Sequence, residues 1–400
     1  MANNKSEPGR TVLQGATVIT EEAVLEDGVV CFQGEQIEFA GTREAFAESP
    51  FASGSATVIE AAGGYVVPGF IDLHVHGGHG SDFMDAEASA YDNITVHHAL
   101  NGTTTILATT VTASRESINR VLETAWAYRS GPMPGAKLGG VHLEGPFISP
   151  KWPGAQNPAY IMPPRRDWLE AWEAQYPGLI RVVTLAPERE GALELIGWLA
   201  DHGIVASAGH TDATYDEITA AADHGLTHAV HTFNAMKGLH HREPGTVGAV
   251  MTDSRIQAEV IADGHHVHHS CIRLLAQAKG PDGLVLVTDS MSACGLPAGD
   301  YKLGELDVVV DGGVARLKEG GALAGSTLTM LGAFRHAVTA AGMSLRDASK
   351  AASGNPAREL GIYHETGSIA PGKQADLLWL DRELALSGVW VNGRRLEGQG

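Results

Sequence analysis

Residues 65–80 read YVVPGFIDLHVHGGHG, an apolar run of strand length that ends in two histidines two positions apart. Side chains alternate between the two faces of a strand, so His74 and His76 share one face. With 19 histidines in 400 residues, chance alone supplies about one such pair, and another stands at His266 and His268. On its own the pair therefore reads as ordinary core histidines. Its weight comes from what surrounds it.

Runs of the same kind recur, so that candidate strands fall at 65–74, 103–110, 137–143, 180–186, 203–208, 228–232, 256–262 and 284–288. They alternate with amphipathic stretches such as SINRVLETAWAY, ALELIGWLADHG and TLTMLGAFRHAVTAAG, whose apolar spacing is helical. Eight βα units are what a closed (β/α)8 TIM-like barrel requires; an open doubly wound sheet is the alternative. Before them come short β-rich pieces (TVLQGATVIT, GVVCFQG, QIEFAG), and after them, behind the turn APGK, ADLLWL and GVWVNG. This predicts a small β-sandwich domain built from both chain termini, 1–64 and 370–400, beside a barrel over 65–369. Glycine-rich text near 291–321 interrupts the alternation as an inserted hairpin or lid.

Composition narrows the function classes. Apolar residues make up 44% and charged residues 19% of the chain, enough for a core and too few charges for disorder. Acidic residues outnumber basic ones 47 to 28, a net charge of -19 that disfavours nucleic acid and anionic membranes as partners. Cys31, Cys271 and Cys294 are spaced too irregularly for a disulfide framework or a zinc ribbon. The polar stretch 1–10 lacks the basic-then-apolar plan of a secretory signal, and no run reaches membrane-spanning length. A cytoplasmic protein is expected.

A barrel carries its chemistry at the C-terminal ends of its strands. There this sequence repeatedly sets ionisable residues: IDLHVH after the first strand, then HLEGP, SAGHT, HTFNAM, ADGHH and VTDS. His74, His76, Glu144, His210, His231 and Asp289 thus gather at one mouth. Burying so many polar groups costs several kcal/mol unless they are paired or bind a cation. Imidazole and carboxylate without thiolate suit Zn, Fe, Mn or Co. For Asp289 the competing reading is a helix N-cap after a strand.

PGFIDLHVHG, HLEGPF, GHT, HTFNAM followed by REPG, IADGHH, LVTDS, LAGS and ADLLWL together resemble the N-acetylglucosamine-6-phosphate deacetylases of the amidohydrolase superfamily. The likeness spans nearly the whole chain; HLEGPF and HTFNAM with REPG are its specific parts. It implies a phosphorylated N-acetyl amino sugar as substrate, hydrolysis of its acetamide, a homodimer, and one or two divalent ions per subunit. Glu144, His210 and His231 would hold the principal metal, and His74 and His76, with Glu144 bridging, a second. Asp289 would take a proton from the attacking water and return it to the departing amine. Substrate contacts would come from Ala155 and Gln156, from Asn234 and Ala235 at the start of a helix, from Arg242 on the phosphate, from His266, and from the loop Leu323, Ala324 and Gly325. In some relatives the arginine reaches the adjacent subunit's site. Arg242 otherwise reads as a surface salt bridge with Glu243.

The sequence departs from the family at Gln156, where many relatives carry a histidine that polarises the substrate carbonyl. Glutamine donates a hydrogen bond but carries no charge. Other readings stay open: the galacto epimer of the substrate, a cyclic amidase or nucleobase deaminase, and a non-catalytic scaffold. Cyclic amidases use a carbamylated lysine as bridging ligand; here Glu144 stands at that position, and Lys137 lies at the strand's opening end.

Overall fold

In a computed structural model the protein is described over residues 9–397, so most of the polar N-terminal stretch lies outside the described residues. Eight parallel strands form one sheet in sequence order. They are β1 (Phe70–Val75), β2 (Thr103–Thr110), β3 (Lys137–Glu144), β4 (Ile180–Leu185), β5 (Val205–Ala208), β6 (Leu226–Ala229), β7 (Gln257–Ile261) and β8 (Leu284–Val287). A helix follows each strand; those at Arg115–Arg129, Ala192–Asp201 and Met330–Thr339 realise the three amphipathic stretches. The open-sheet alternative is excluded by the way β1 meets β8. Asp289 N–H donates to the His74 carbonyl at 2.9 Å, His76 N–H donates to Ser290 at 2.9 Å, and Val75 bridges Ser290. Below this seam the Asp72 carboxylate accepts the Thr288 hydroxyl at 2.6 Å. The sheet is a (β/α)8 barrel.

The first candidate strand, 65–74, divides in two. Tyr65–Pro68 pairs antiparallel with Leu377–Leu380 in a second, eight-stranded sheet built from both ends of the chain, and only from Phe70 does the chain join the barrel. Gly69 makes the transfer: a Cβ there would lie 2.3 Å from the Thr104 hydroxyl oxygen, so no other residue fits without displacement. Arg10–Ile19 is the hub of this sheet, pairing with Val24–Gln33, Ala56–Glu60 and Tyr65–Pro68. Lys137 at the opening end of β3 ties the barrel to it through Asp376 and Gln374. The region near 291–321 holds a three-stranded antiparallel sheet, Gly299–Leu303, Leu306–Asp311 and Val314–Leu317, one strand more than a hairpin. Among the described residues no helix is long and apolar enough to cross a membrane.

Candidate metal centre

Five strand ends deliver one cluster of six residues. His74 lies on β1 with His76 just beyond it, and Glu144 ends β3. His210, His231 and Asp289 each stand two residues past β5, β6 and β8, and each has left-handed backbone, with φ of 46°, 29° and 50°. That conformation costs a non-glycine residue about 1–2 kcal/mol, though Asp and His adopt it more readily than most. It ends each strand and turns its side chain into the barrel mouth. Asp289 opens no helix, so the N-cap reading fails.

Glu144 sits at the centre. Its Oε1 lies 3.3 Å from Nε2 of His74, 3.2 Å from that of His210 and 3.1 Å from that of His231; its Oε2 lies 3.3 Å from Nε2 of His76. Asp289 Oδ1 is 3.2 Å from Nε2 of His76 and 3.6 Å from that of His74. The atoms fall into two groups, Glu144 with His210 and His231, and His74 with His76 and Asp289. All six residues are buried.

The outer ring nitrogens decide what the inner ones can do. Nδ1 of His74 faces Glu259 at 3.1 Å, that of His76 the Thr109 carbonyl at 3.3 Å, that of His210 the Trp152 carbonyl at 2.9 Å and that of His231 the Asn234 carbonyl at 3.2 Å. Carbonyl and carboxylate oxygens only accept, so each Nδ1 donates and each Nε2 turns a lone pair inward. Nε2 of His210 and His231 then face each other at 3.2 Å, and Nε2 of His74 is buried without a hydrogen-bond partner. Lone pairs converging on two carboxylates require positive charge among them. Burial opposes charge on His76, yet hydrogen bonds and charges from Asp289 and Glu144 prevail and raise its pKa to about 9. A divalent cation satisfies the same demand, and the donor set fits one.

A cavity of about 340 Å³ opens above the cluster. Ala155, Gln156, Asn234, Ala235, His266, Leu323 and Gly325 line it. Gln156 donates to Glu144 Oε2 at 2.6 Å while its carbonyl accepts Thr112 N–H, also at 2.6 Å. His266 is held by Asp263, 2.7 Å from Nδ1. At three places the local setting differs from the one the sequence suggests. Asn234 and Ala235 begin no helix: the chain makes a turn with left-handed residues at His231, Phe233 and Ala235, and Asn234 N–H is engaged by the His231 carbonyl at 2.9 Å. Arg242 lies exposed outside its own chain's cavity and donates to His241 Nε2 at 2.7 Å instead of pairing with Glu243. Ala324 packs into the apolar cluster beneath the inserted sheet, between lining residues Leu323 and Gly325.

Four side chains escaped the sequence reading. Lys151 and Trp152 line the cavity, both anchored to Asp212, at 2.7 Å from Lys151 Nζ and 3.0 Å from the Trp152 indole nitrogen. Glu259 and His228 lie beneath His74, 2.8 Å apart. The signal that could have found these two is a charged residue inside an apolar strand, as in QAEVI.

The amidohydrolase family model matches residues 65–396. The chain belongs to the amidohydrolase family. An N-acetylglucosamine-6-phosphate deacetylase of Bacillus subtilis (strain 168) is 40% identical to this amidohydrolase over 370 residues, 92% of each chain. An N-acetylgalactosamine-6-phosphate deacetylase of Escherichia coli O157:H7 is 38% identical over 384 residues, 96% of this chain and 98% of the relative. The solved structure of a mutant N-acetyl-D-glucosamine-6-phosphate deacetylase from Mycobacterium smegmatis, in complex with N-acetyl-D-glucosamine-6-phosphate, is similar at a TM-score of 0.90 and 37% identity, covering 97% of this amidohydrolase and 99% of that chain.

Proposed function

We propose that the protein hydrolyses the acetamide of N-acetyl-D-glucosamine 6-phosphate, giving glucosamine 6-phosphate and acetate. The observation that carries this reading is Glu144 as the bridging carboxylate among four inward-facing imidazoles, with relatives of that activity matching almost end to end. A carbamylated lysine has no room in this scheme: Lys137 is committed to Asp376 at the opposite end of β3. This weighs against a cyclic amidase, and the complete set of ligands weighs against a scaffold that has lost its chemistry.

One or two divalent ions, Zn, Fe, Mn or Co, are proposed to bind Glu144, His210 and His231, and His74, His76 and Asp289. When bound, such an ion polarises the carbonyl and acidifies water enough to supply a nucleophile at neutral pH. Asp289 would serve as the general base toward the attacking water and then as the general acid toward the sugar nitrogen, which leaves as an amine only once protonated. Gln156 holds one Oε2 lone pair of Glu144 and keeps a second amide hydrogen for the acetyl oxygen. Ala155, Leu323 and Gly325 line the sugar, and His266 contacts a hydroxyl or the phosphate.

Phosphate binding is assigned to the turn at Asn234 and Ala235, to Lys151 at the cavity rim, and to Arg242 of a second copy of the chain. Support for the homodimer is that Arg242 and Leu239, 56% exposed, occupy a loop outside their own cavity. A cytoplasmic location suits the three free thiols,.

The galacto epimer remains the second reading because the Escherichia coli relative that acts on it matches as fully as the others. Acetate release from the gluco and galacto 6-phosphates and from unphosphorylated N-acetylglucosamine separates these readings. No release from either phosphosugar with added Zn²⁺ or Mn²⁺ would overturn the assignment.

A further inference from the structure

Glu259 on β7 and His228 on β6 are fully buried in the barrel interior, where such folds stack apolar layers. The Glu259 carboxylate joins two rings: Oε2 lies 3.1 Å from Nδ1 of His74 and Oε1 lies 2.8 Å from Nε2 of His228. Oε2 also accepts the His231 backbone N–H at 3.3 Å. On its far side, His228 Nδ1 makes a 3.4 Å ion-pair contact with Glu359 Oε1. Glu359 also accepts the hydroxyl of Thr227, 3.2 Å away near the opening end of β6. The line Glu359, His228, Glu259, His74 therefore crosses the barrel from its closed face to the metal cluster.

Nε2 of His228 meets Glu259 at 2.8 Å, and Nδ1, buried without a hydrogen-bond partner, lies 3.4 Å from a second carboxylate, Glu359, so the ring sits between two negative charges that favour its positive form,. Burial opposes that charge, but Glu259 and then Glu359 prevail and raise its pKa to about 10. A buried ion pair adds little to stability compared with apolar packing, so its position beneath a metal ligand is the informative feature. A carboxylate on the outer nitrogen of a metal-bound imidazole fixes the ring's tautomer and direction.

We propose that Glu259, neutralised by His228, is a positioning residue that locks His74 with Nδ1 protonated and Nε2 aimed at the cation, and so sets the affinity of the cation group formed by His74, His76 and Asp289. The proposal rests on the metal-centre reading above and adds that this second group depends on charge buried well below it. Glu259 reaches His231 only through the backbone, so the group of Glu144, His210 and His231 depends on it less.

The test is Co²⁺ uptake by chelator-stripped protein, followed by visible absorption and calorimetry; it uses no substrate and is independent of whether acetate is released. His74→Ala identifies which uptake belongs to the His74 group. Glu259→Gln is expected to weaken that uptake by about 10–100-fold and change its absorption spectrum, leaving the other uptake at wild-type affinity. His228→Gln keeps a donor toward Glu259 but removes the charge, and is expected to weaken the same uptake by a smaller factor; it decides the matter if Glu259→Gln does not fold. The proposal is overturned if the folded variant, Glu259→Gln or in its place His228→Gln, takes up Co²⁺ there as tightly as the native chain. It is equally overturned if His74→Ala changes no uptake at all.

Discussion

Gln156 stands 2.6 Å from Glu144, its amide nitrogen donating to Oε2, while its carbonyl receives the backbone N–H of Thr112. One neutral side chain thus ties the Glu144 carboxylate to the backbone just beyond β2. Gln156→Leu deprives two buried groups of their partners, each worth about 1–3 kcal/mol. We expect a loss of about 2 kcal/mol in urea denaturation together with a fall in turnover. Unchanged stability would show that the clamp holds nothing.

Asp289 faces His76 across 3.2 Å and is buried beside the cavity. Asp289→Asn keeps the shape and removes the proposed base. The expected outcome is a fall of about 10²–10⁴-fold in kcat for acetate release, with KM little altered. Wild-type turnover in this variant would remove Asp289 from the proton pathway.

Removing the metal should act on stability as well as rate. A chelator is expected to abolish acetate release, with recovery on adding Zn²⁺ or Mn²⁺. Because a ligand at 100 times its Kd contributes about 2.7 kcal/mol, the melting temperature should fall by several degrees. Elemental analysis of the purified protein identifies the ion.

The phosphate assignment predicts a particular kinetic signature. Lys151→Ala should raise KM for the phosphosugar by roughly tenfold with kcat almost unchanged, the mark of lost uniform binding. The unphosphorylated sugar should not discriminate the variant from the native chain. Equal KM values on the phosphosugar would place the phosphate elsewhere.

His98 provides a pH prediction separate from the metal cluster. Burial lowers its pKa from 6.5 to about 3, while Nε2 lies 3.1 Å from the Gly77 carbonyl. Between these values the unfolded chain binds a proton that the folded chain refuses, so stability is intact above pH 6.5 and falls as the pH drops toward 3. His98 alone contributes a slope of about 1.4 kcal/mol per pH unit, to which His142 and His97, lowered to about 3 and about 4 chiefly by burial, add in the same direction,. Comparing denaturation of metal-free native protein and His98→Asn at pH 4, 5 and 7 isolates the His98 share, and the variant should show a slope shallower by about that amount.

Much of the barrel is legible in the sequence because its strands are buried on both faces and so read as continuous apolar runs. The same property hid the change of sheet at Gly69, since YVVP and FIDLHV are equally apolar. The side chains that converge on Glu144 were legible because each follows the end of an apolar run. Glu259 and His228 were not, because they lie within strands whose register only the closed barrel reveals. The course of the loop carrying Arg242 and the turn at Asn234 depend on tertiary contacts that no local pattern records.

The seam between the first and last strands is fastened by the backbone of Asp289 and His74. Any opening of the barrel at that joint would therefore part Asp289 from His74, the residues proposed as proton carrier and metal ligand. A circular permutant with new ends in the β4–β5 connection keeps the two residues in register, and one reopened just after β8 releases the joint on which their spacing depends.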